Sequence, residues 1–179
     1  MAIQKQVYKS PEKKKSLMSV VVSGCKTPVL SVKFSNLVRP FYYPNSPTIP
    51  RYSVATVFSP ESHKDFFRAI QTIEQNEGVE SIIKPDSKKM GEDYEESGNL
   101  LIKFQTRNQI PVFSIKKGQT EEEAEEIELQ DELARGEMIQ VVYEVLRYTK
   151  KNTDPQAYGL SFKPLKIFYF PELSPNKEG

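Results

Sequence analysis

The chain contains one cysteine, one histidine and no tryptophan in 179 residues. Cys25 alone can form neither an internal disulfide nor a cysteine-based zinc site within one chain, and it reads as a small buried hydrophobe. A Ser-His-Asp arrangement would have to use His63, which stands beside Ser62 and Lys64 in the first turn of an expected helix, with nothing nearby to support that role. The eight glycines are scattered, so no loop of the phosphate-cradling kind is present and nucleotide hydrolysis is disfavoured. Long apolar runs are missing too. No apolar stretch, Met18 to Val22 included, approaches the ~20 residues that a membrane-spanning helix requires, and the start of the chain has no apolar signal segment. The expected location is therefore the cytoplasm, with no membrane partner. Carboxylates are plentiful but run together from Glu121 to Glu126, whereas a metal-dependent nuclease needs acids projected from separate rigid elements onto one point. These absences argue against an enzyme, and no metal or cofactor is expected.

What is present is the composition of a folded protein, with 37% hydrophobic and 27% charged residues. The length suits one domain, because two cores would leave each half too small to bury much apolar surface. The formal net charge of +1 conceals a block distribution. Residues 1 to 51 carry nine lysines and arginines against the single acid Glu12, a net of +8. Residues 119 to 137 carry nine acids against Arg135 alone, a net of −8. Such a chain suits a polyanion site together with something that competes for it. The acidic run repels itself, so it is expected to be mobile or only locally helical and to occupy the basic surface until phosphates displace it.

Along the chain, residues 1–16 read as a flexible basic arm around Lys13, Lys14 and Lys15, and 174–179 as a short tail. Between them, 17–173 reads as one domain with the acidic loop 119–137 inserted. Two short strands are expected between Leu17 and Phe34, separated by a bend. Arg39-Pro40-Phe41-Tyr42-Tyr43-Pro44 brackets three aromatics with prolines and cannot lie in a central strand. Tyr52 to Phe58 alternates as a strand should, and Ser59-Pro60 then opens a helix in which Phe66, Phe67, Ile70 and Ile73 recur at helical spacing until Gly78. Residues 79–99 are charged and aperiodic, and read as a long loop. Strands come next at Leu100 to Arg107, Pro111 to Lys116, Met138 to Tyr148 and Leu160 to Phe170. The expected fold is mainly β: a five-stranded Greek-key barrel of the oligonucleotide-binding type, with one helix after the second strand group.

Binding chemistry is better represented than catalytic chemistry. Single strands are held by basic grooves that follow phosphates and by aromatic faces on which bases stack. On the strand from Leu100, the residues Leu100, Ile102 and Phe104 look inward while Lys103 and Arg107 look outward. On the next long strand Tyr143 and Arg147 share one face and Tyr148 ends the other; Tyr143 reads as core first. The turn beyond adds Lys150, Lys151 and Tyr158. Each has a bland explanation alone, but they converge near one strand end and hairpin.

The series Leu100-Leu101-Ile102-Lys103-Phe104, Pro111-Val112-Phe113, Gly136 to Val145 and Tyr158-Gly159-Leu160-Ser161-Phe162-Lys163 resembles the phage-encoded single-stranded DNA-binding proteins of the T-odd podovirus type. The likeness covers roughly two thirds of the chain. It implies an oligonucleotide-binding barrel, binding of single-stranded DNA without sequence preference, a part in phage DNA replication, recombination and repair, and contact with the phage DNA polymerase and helicase. By position it puts the DNA groove at Lys103, Arg107, Tyr148, Lys150, Lys151 and Tyr158; Arg147, Lys163, Arg39, Tyr42 and Tyr43 join these as candidate contacts. The long acidic tail of that family is missing from the residues 174–179. Its role has either passed to the acidic loop or does not apply. A homodimer is compatible with the resemblance, though the residues are silent on it. The alternative reading is a β-rich phage structural or adaptor protein that docks its Phe41-Tyr42-Tyr43 segment into a neighbour.

Overall fold

The computed structural model describes residues 18–81, 83–90, 93–150 and 156–173, and for 86–97 the backbone alone. The basic arm, the tail and Lys151 lie outside the described residues. Among the described residues the strands are β1 (Met18–Lys26), β2 (Leu30–Tyr43), β3 (Ser46–Phe58), β4 (Lys84–Met90), β5 (Asp93–Thr106), β6 (Val112–Ser114), β7 (Glu125–Ile127), β8 (Met138–Thr149) and β9 (Tyr158–Tyr169), with one α-helix, α1 (Lys64–Glu77), between β3 and β4.

The sheet runs β4-β5-β3-β2-β8-β9-β6-β7, and β1 adds to β8. β8 is its hub. The first residues of β8, Met138 and Ile139, pair with β2, the stretch from Val142 to Tyr148 pairs with β1, and the other edge pairs with β9 along its whole length. The five longest strands thus form a circuit, β2-β3-β5 on one side and β9-β8-β2 on the other. Among the described residues no ladder joins β5 to β9, although they lie side by side. This is the connectivity of the partly open oligonucleotide-binding barrel. The strand count departs from the five expected, because β1, β4, β6 and β7 are added at the margins of the ring.

Alternation along each long strand decides which residues fill the barrel. Val54 and Phe58 from β3, Ile102 and Phe104 from β5, Val141, Tyr143 and Val145 from β8, and Leu160 and Phe162 from β9 are buried together. Tyr143 belongs to this core: its ring stacks on Phe162 at 5.8 Å and lies 5.2 Å from Phe104. Burial pushes its phenol up from the ordinary range, with a smaller contribution from Cys25. Burial also pushes up the Cys25 thiol.

The helix is present where its apolar spacing predicts it, with Phe66 and Ile70 buried and Gly78 closing it in the left-handed conformation. Its start differs. Ser59 Oγ accepts the N–H groups of Glu61 and Ser62, which forms a turn ahead of the helix proper. His63 Nδ1 accepts the N–H of Ser59 at 3.1 Å, so the sole histidine serves local structure.

Two expectations are corrected. Residues 79–99 do not form a loop: β4 and the first half of β5 form a hairpin that continues the sheet. The stretch has no apolar period because its shape comes from backbone pairing and a register that sets Lys88 opposite Glu95 and Ser87 opposite Glu96. The acidic segment is locally helical only at one turn and is otherwise held in the sheet and by side-chain anchors, not left mobile. After a single 3-10 turn at Glu121–Glu123, β7 pairs with β6, and Ile127 and Leu129 pack against the core while Leu133 is inside it. Glu132 anchors the segment to β2. Its carboxylate accepts the N–H groups of Leu37 at 2.6 Å, Val38 at 2.9 Å and Arg39 at 2.7 Å, and the hydroxyl of Ser35 at 2.8 Å. These donors become available because the β2–β3 register is irregular between Asn36 and Phe41. Buried Glu137 accepts the N–H of Ala134 and the Tyr169 hydroxyl, and Glu121 pairs with Lys26.

Candidate nucleic-acid interface

The outward residues of β5 and β9 face one another across the unpaired seam. Two hollows of about 300 and 520 Å³ lie there, and they share Met18, Gln105 and Ser161, so they form one groove. One end is lined by Lys84, Lys103 and Tyr148, the other by Arg51, Arg107, Asn108 and Lys163. None of the described residues lining either half is acidic. Opposite Gln105 and Lys103 in the β3–β5 ladder stand the small residues Ser53 and Ala55, both buried. Lys163 is 3.8 Å from Glu144, whose other oxygen takes the Ser23 hydroxyl.

Beyond Arg51 the groove meets the arm formed by the ends of β2 and β3. The Arg51 guanidinium lies 5.7 Å from the Tyr43 ring centroid, and Tyr43 meets Phe41 edge-on at 4.9 Å. Phe41 and Tyr42 are 47% and 48% exposed. The prolines are accommodated because β2 pairs with β8 only at Leu30 and Ser31, leaving this stretch with one partner strand.

The predicted site residues divide. Lys103, Arg107, Tyr148 and Lys163 line the groove. Arg147 and Tyr158 stand on the inward side of β8 and β9. There the Arg147 guanidinium lies 3.8 Å over the Tyr158 ring, and its Nε is 3.7 Å from Glu77 at the end of α1. Lys150 is at the β8–β9 hairpin, which its N–H closes on the Ala157 carbonyl. Tyr42, Tyr43 and Arg39 are on the β2–β3 arm. Sequence reading missed Arg51, Lys84, Gln105 and Ser161. Extending the Tyr52 to Phe58 alternation back one residue gives Arg51 the outward side; Lys84 was hidden in the presumed loop.

A second cleft, of about 650 Å³, opens between β2 and the β6–β7 hairpin, lined by Leu37, Ile110, Val112, Ile127 and Leu129 and carrying Glu126 and Glu128. The acidic segment borders this cleft and contributes none of the described groove residues. It does not line the basic groove of its own molecule, and the basic arm it was also expected to reach lies outside the described residues.

Among solved structures, the C-terminally truncated single-stranded DNA-binding protein of bacteriophage Enc34 aligns with a TM-score of 0.59 at 14% identity, over 81% of this chain and 84% of that one. The same Enc34 protein in complex with single-stranded DNA aligns at 0.58 and 15% identity, over 80% and 84%. The chain has the fold of a phage single-stranded DNA-binding protein. The groove lies along the β5–β9 seam, from Arg51, its one described lining residue on β3, to Tyr148 near the β8–β9 hairpin. The structure of gp2.5 from bacteriophage T7 aligns at a TM-score of 0.41 and 10% identity, over 87% of this chain and 86% of that one. No family model and no curated sequence matches the chain.

Chemically, the groove can hold a polyanion by Coulomb attraction and a flat ring by stacking. Among the described residues, no group of three or more His, Cys, Asp or Glu side chains could hold a metal ion, and no helix is long and apolar enough to cross a membrane.

Proposed function

We propose that this protein binds single-stranded DNA without sequence preference. The observation that carries the reading is the β5–β9 groove: Arg51, Lys84, Lys103, Arg107 and Lys163 with Tyr148, and no acid among its described lining. Cations along a groove hold a phosphate backbone, and a tyrosine ring accepts an unpaired base of any identity. The Enc34 protein of like fold, found with single-stranded DNA, supports it. The wider part of the proposal rests on the sequence resemblance: a non-enzymatic role in phage DNA replication, recombination and repair in the host cytoplasm, in contact with the phage DNA polymerase and helicase. Arg39, Tyr42, Tyr43 and Lys150 extend the contact on the two hairpins, and Arg147 and Tyr158 act from behind, by bracing the strand ends that carry Tyr148.

Fluorescence titration with oligo-dT and with a duplex of equal length, across a salt series, tests this. Tight, strongly salt-dependent binding of the single strand over the duplex is expected, and equal affinity at matched salt would overturn it. The adaptor reading draws on half-exposed Phe41 and Tyr42; it predicts no binding to oligo-dT even at low salt.

A further inference from the structure

Gly159 is the direct cross-strand partner of Tyr148. A methyl group at Gly159 would stand 2.5 Å from the Tyr148 phenol oxygen and 2.9 Å from Cε1. The tyrosine ring therefore leans across the ladder and covers the glycine backbone, where a side chain at 159 would lift it away. Aromatic cover of a strand glycine is a known device of sheet packing. Here it has a second consequence, because the covering ring also lines the 520 Å³ end of the groove. Met18 shares that wall, Lys84 and Lys103 supply charge, and Ser81, Gln105 and Ser161 supply polar edges.

From this geometry we propose that Gly159 is the positioning residue of a base-binding subsite, in which the Tyr148 ring, laid flat on the glycine, stacks one unpaired base while Lys84 and Lys103 take the adjoining phosphates. The inference rests on the single-strand reading above and deepens it. The subsite has room for one nucleobase, and its polar groups border the base edge without a fixed donor and acceptor pattern. The ring is what the glycine controls: alanine at 159 leaves the lysines in place but tilts the platform out of the plane a base requires.

The test is a double-mutant cycle on the full chain, titrated with a dT oligonucleotide and with the same oligonucleotide made abasic throughout. Tyr148→Ala should weaken dT binding by about 5- to 140-fold, the range expected for one stacked base. Gly159→Ala should lose much of the same factor, with the slope of log K against log salt unchanged and abasic binding unaltered. In the Tyr148→Ala background, adding Gly159→Ala should change nothing, since the ring through which the glycine acts is gone. Wild-type affinity for Gly159→Ala, an equal loss on the abasic strand, or a further loss in the double variant would each overturn the proposal. Should Gly159→Ala fail to fold, the double variant decides alone: a folded protein with the affinity of Tyr148→Ala supports the coupling, and a weaker or unfolded one refutes it. A wild-type protein with no affinity for either strand defeats the single-strand reading itself, and the subsite with it.

Discussion

The β5–β9 groove and the β6–β7 cleft are opposite answers to the problem of surface charge. The groove collects cations on rigid strands around a recess and leaves them little intramolecular compensation: among its described lysines and arginines, only Lys163 has an ion-pair partner, Glu144. The acidic segment does the reverse. Three of its nine acids are tied into the fold, Glu121 on Lys26, Glu132 on three backbone N–H groups, and Glu137 on Ala134 and Tyr169, while Glu122, Glu125, Glu126, Glu128 and Asp131 stay exposed away from the groove. Where a charge block ends up, and which of its members hold the fold, is therefore decided by the tertiary structure and not by the block itself.

Breaking the groove should produce the largest effect. Replacing Lys84, Lys103 and Arg107 together by alanine should lower single-strand affinity by roughly 10²-fold or more and reduce the salt slope by about 2, given ~0.7 per phosphate contact on single strands. Thermal stability should stay within ~0.5 kcal/mol of the parent, as for surface substitutions; an unchanged salt slope would remove these cations from the interface.

The acidic segment should respond in the opposite way. Glu132→Ala strands three backbone donors of β2 and is expected to cost about 2–4 kcal/mol of stability, read by urea unfolding, since unpaired part-buried donors each forfeit ~1 kcal/mol or more. Its single-strand affinity, measured where the variant remains folded, should not rise. Tighter binding would revive a competing role for the segment.

A smaller effect is expected from acid. Burial alone pushes the Glu132 carboxyl up, but the N–H groups of Arg39, Leu37 and Val38 and the Ser35 hydroxyl outweigh it and leave it below the usual carboxylate range. A carboxyl held low in the folded state contributes stability that is fully present above its unfolded pKa and lost as pH falls through the folded one. Stability from this group should be level between pH 7 and about pH 5 and decline below that, and Glu132→Gln should remove its share of the decline. An identical acid profile in the two proteins would contradict the assignment.

The smallest change is expected from Glu126→Gln with Glu128→Gln. Both are exposed at the rim of the second cleft, so stability should move by no more than ~0.5 kcal/mol, and affinity for oligo-dT should hardly change. A marked gain in affinity would mean that the acids of this hairpin reach the DNA after all.

Much of the barrel was legible because its long strands alternate: Ile102 and Phe104, Val141, Tyr143 and Val145, and Leu160 and Phe162 announce one buried face each. The same alternation gave Lys103, Arg107 and Tyr148 their outward side. The β4–β5 hairpin was not legible, since it lacks an apolar period and is defined by pairing alone. Nor was the fixed state of the acidic segment, whose charge suggests disorder until Glu132 meets the irregular stretch of β2, 93 to 97 residues away in sequence.

By itself the sequence determined what each strand could bury, where the helix would run, and that basic and aromatic residues would share outward faces, because these depend on the two- and 3.6-residue periods of the local backbone. Only the tertiary structure decided that β5 and β9 would meet without a ladder, and so bring Lys84 and Lys103 to one end of a recess and Arg51 and Arg107 to the other. It also turned Arg147 and Tyr158 onto each other and laid Tyr148 over Gly159. Those outcomes depend on register and on which strand edges are left unpaired, quantities set by contacts between segments distant in the chain, which no local pattern encodes.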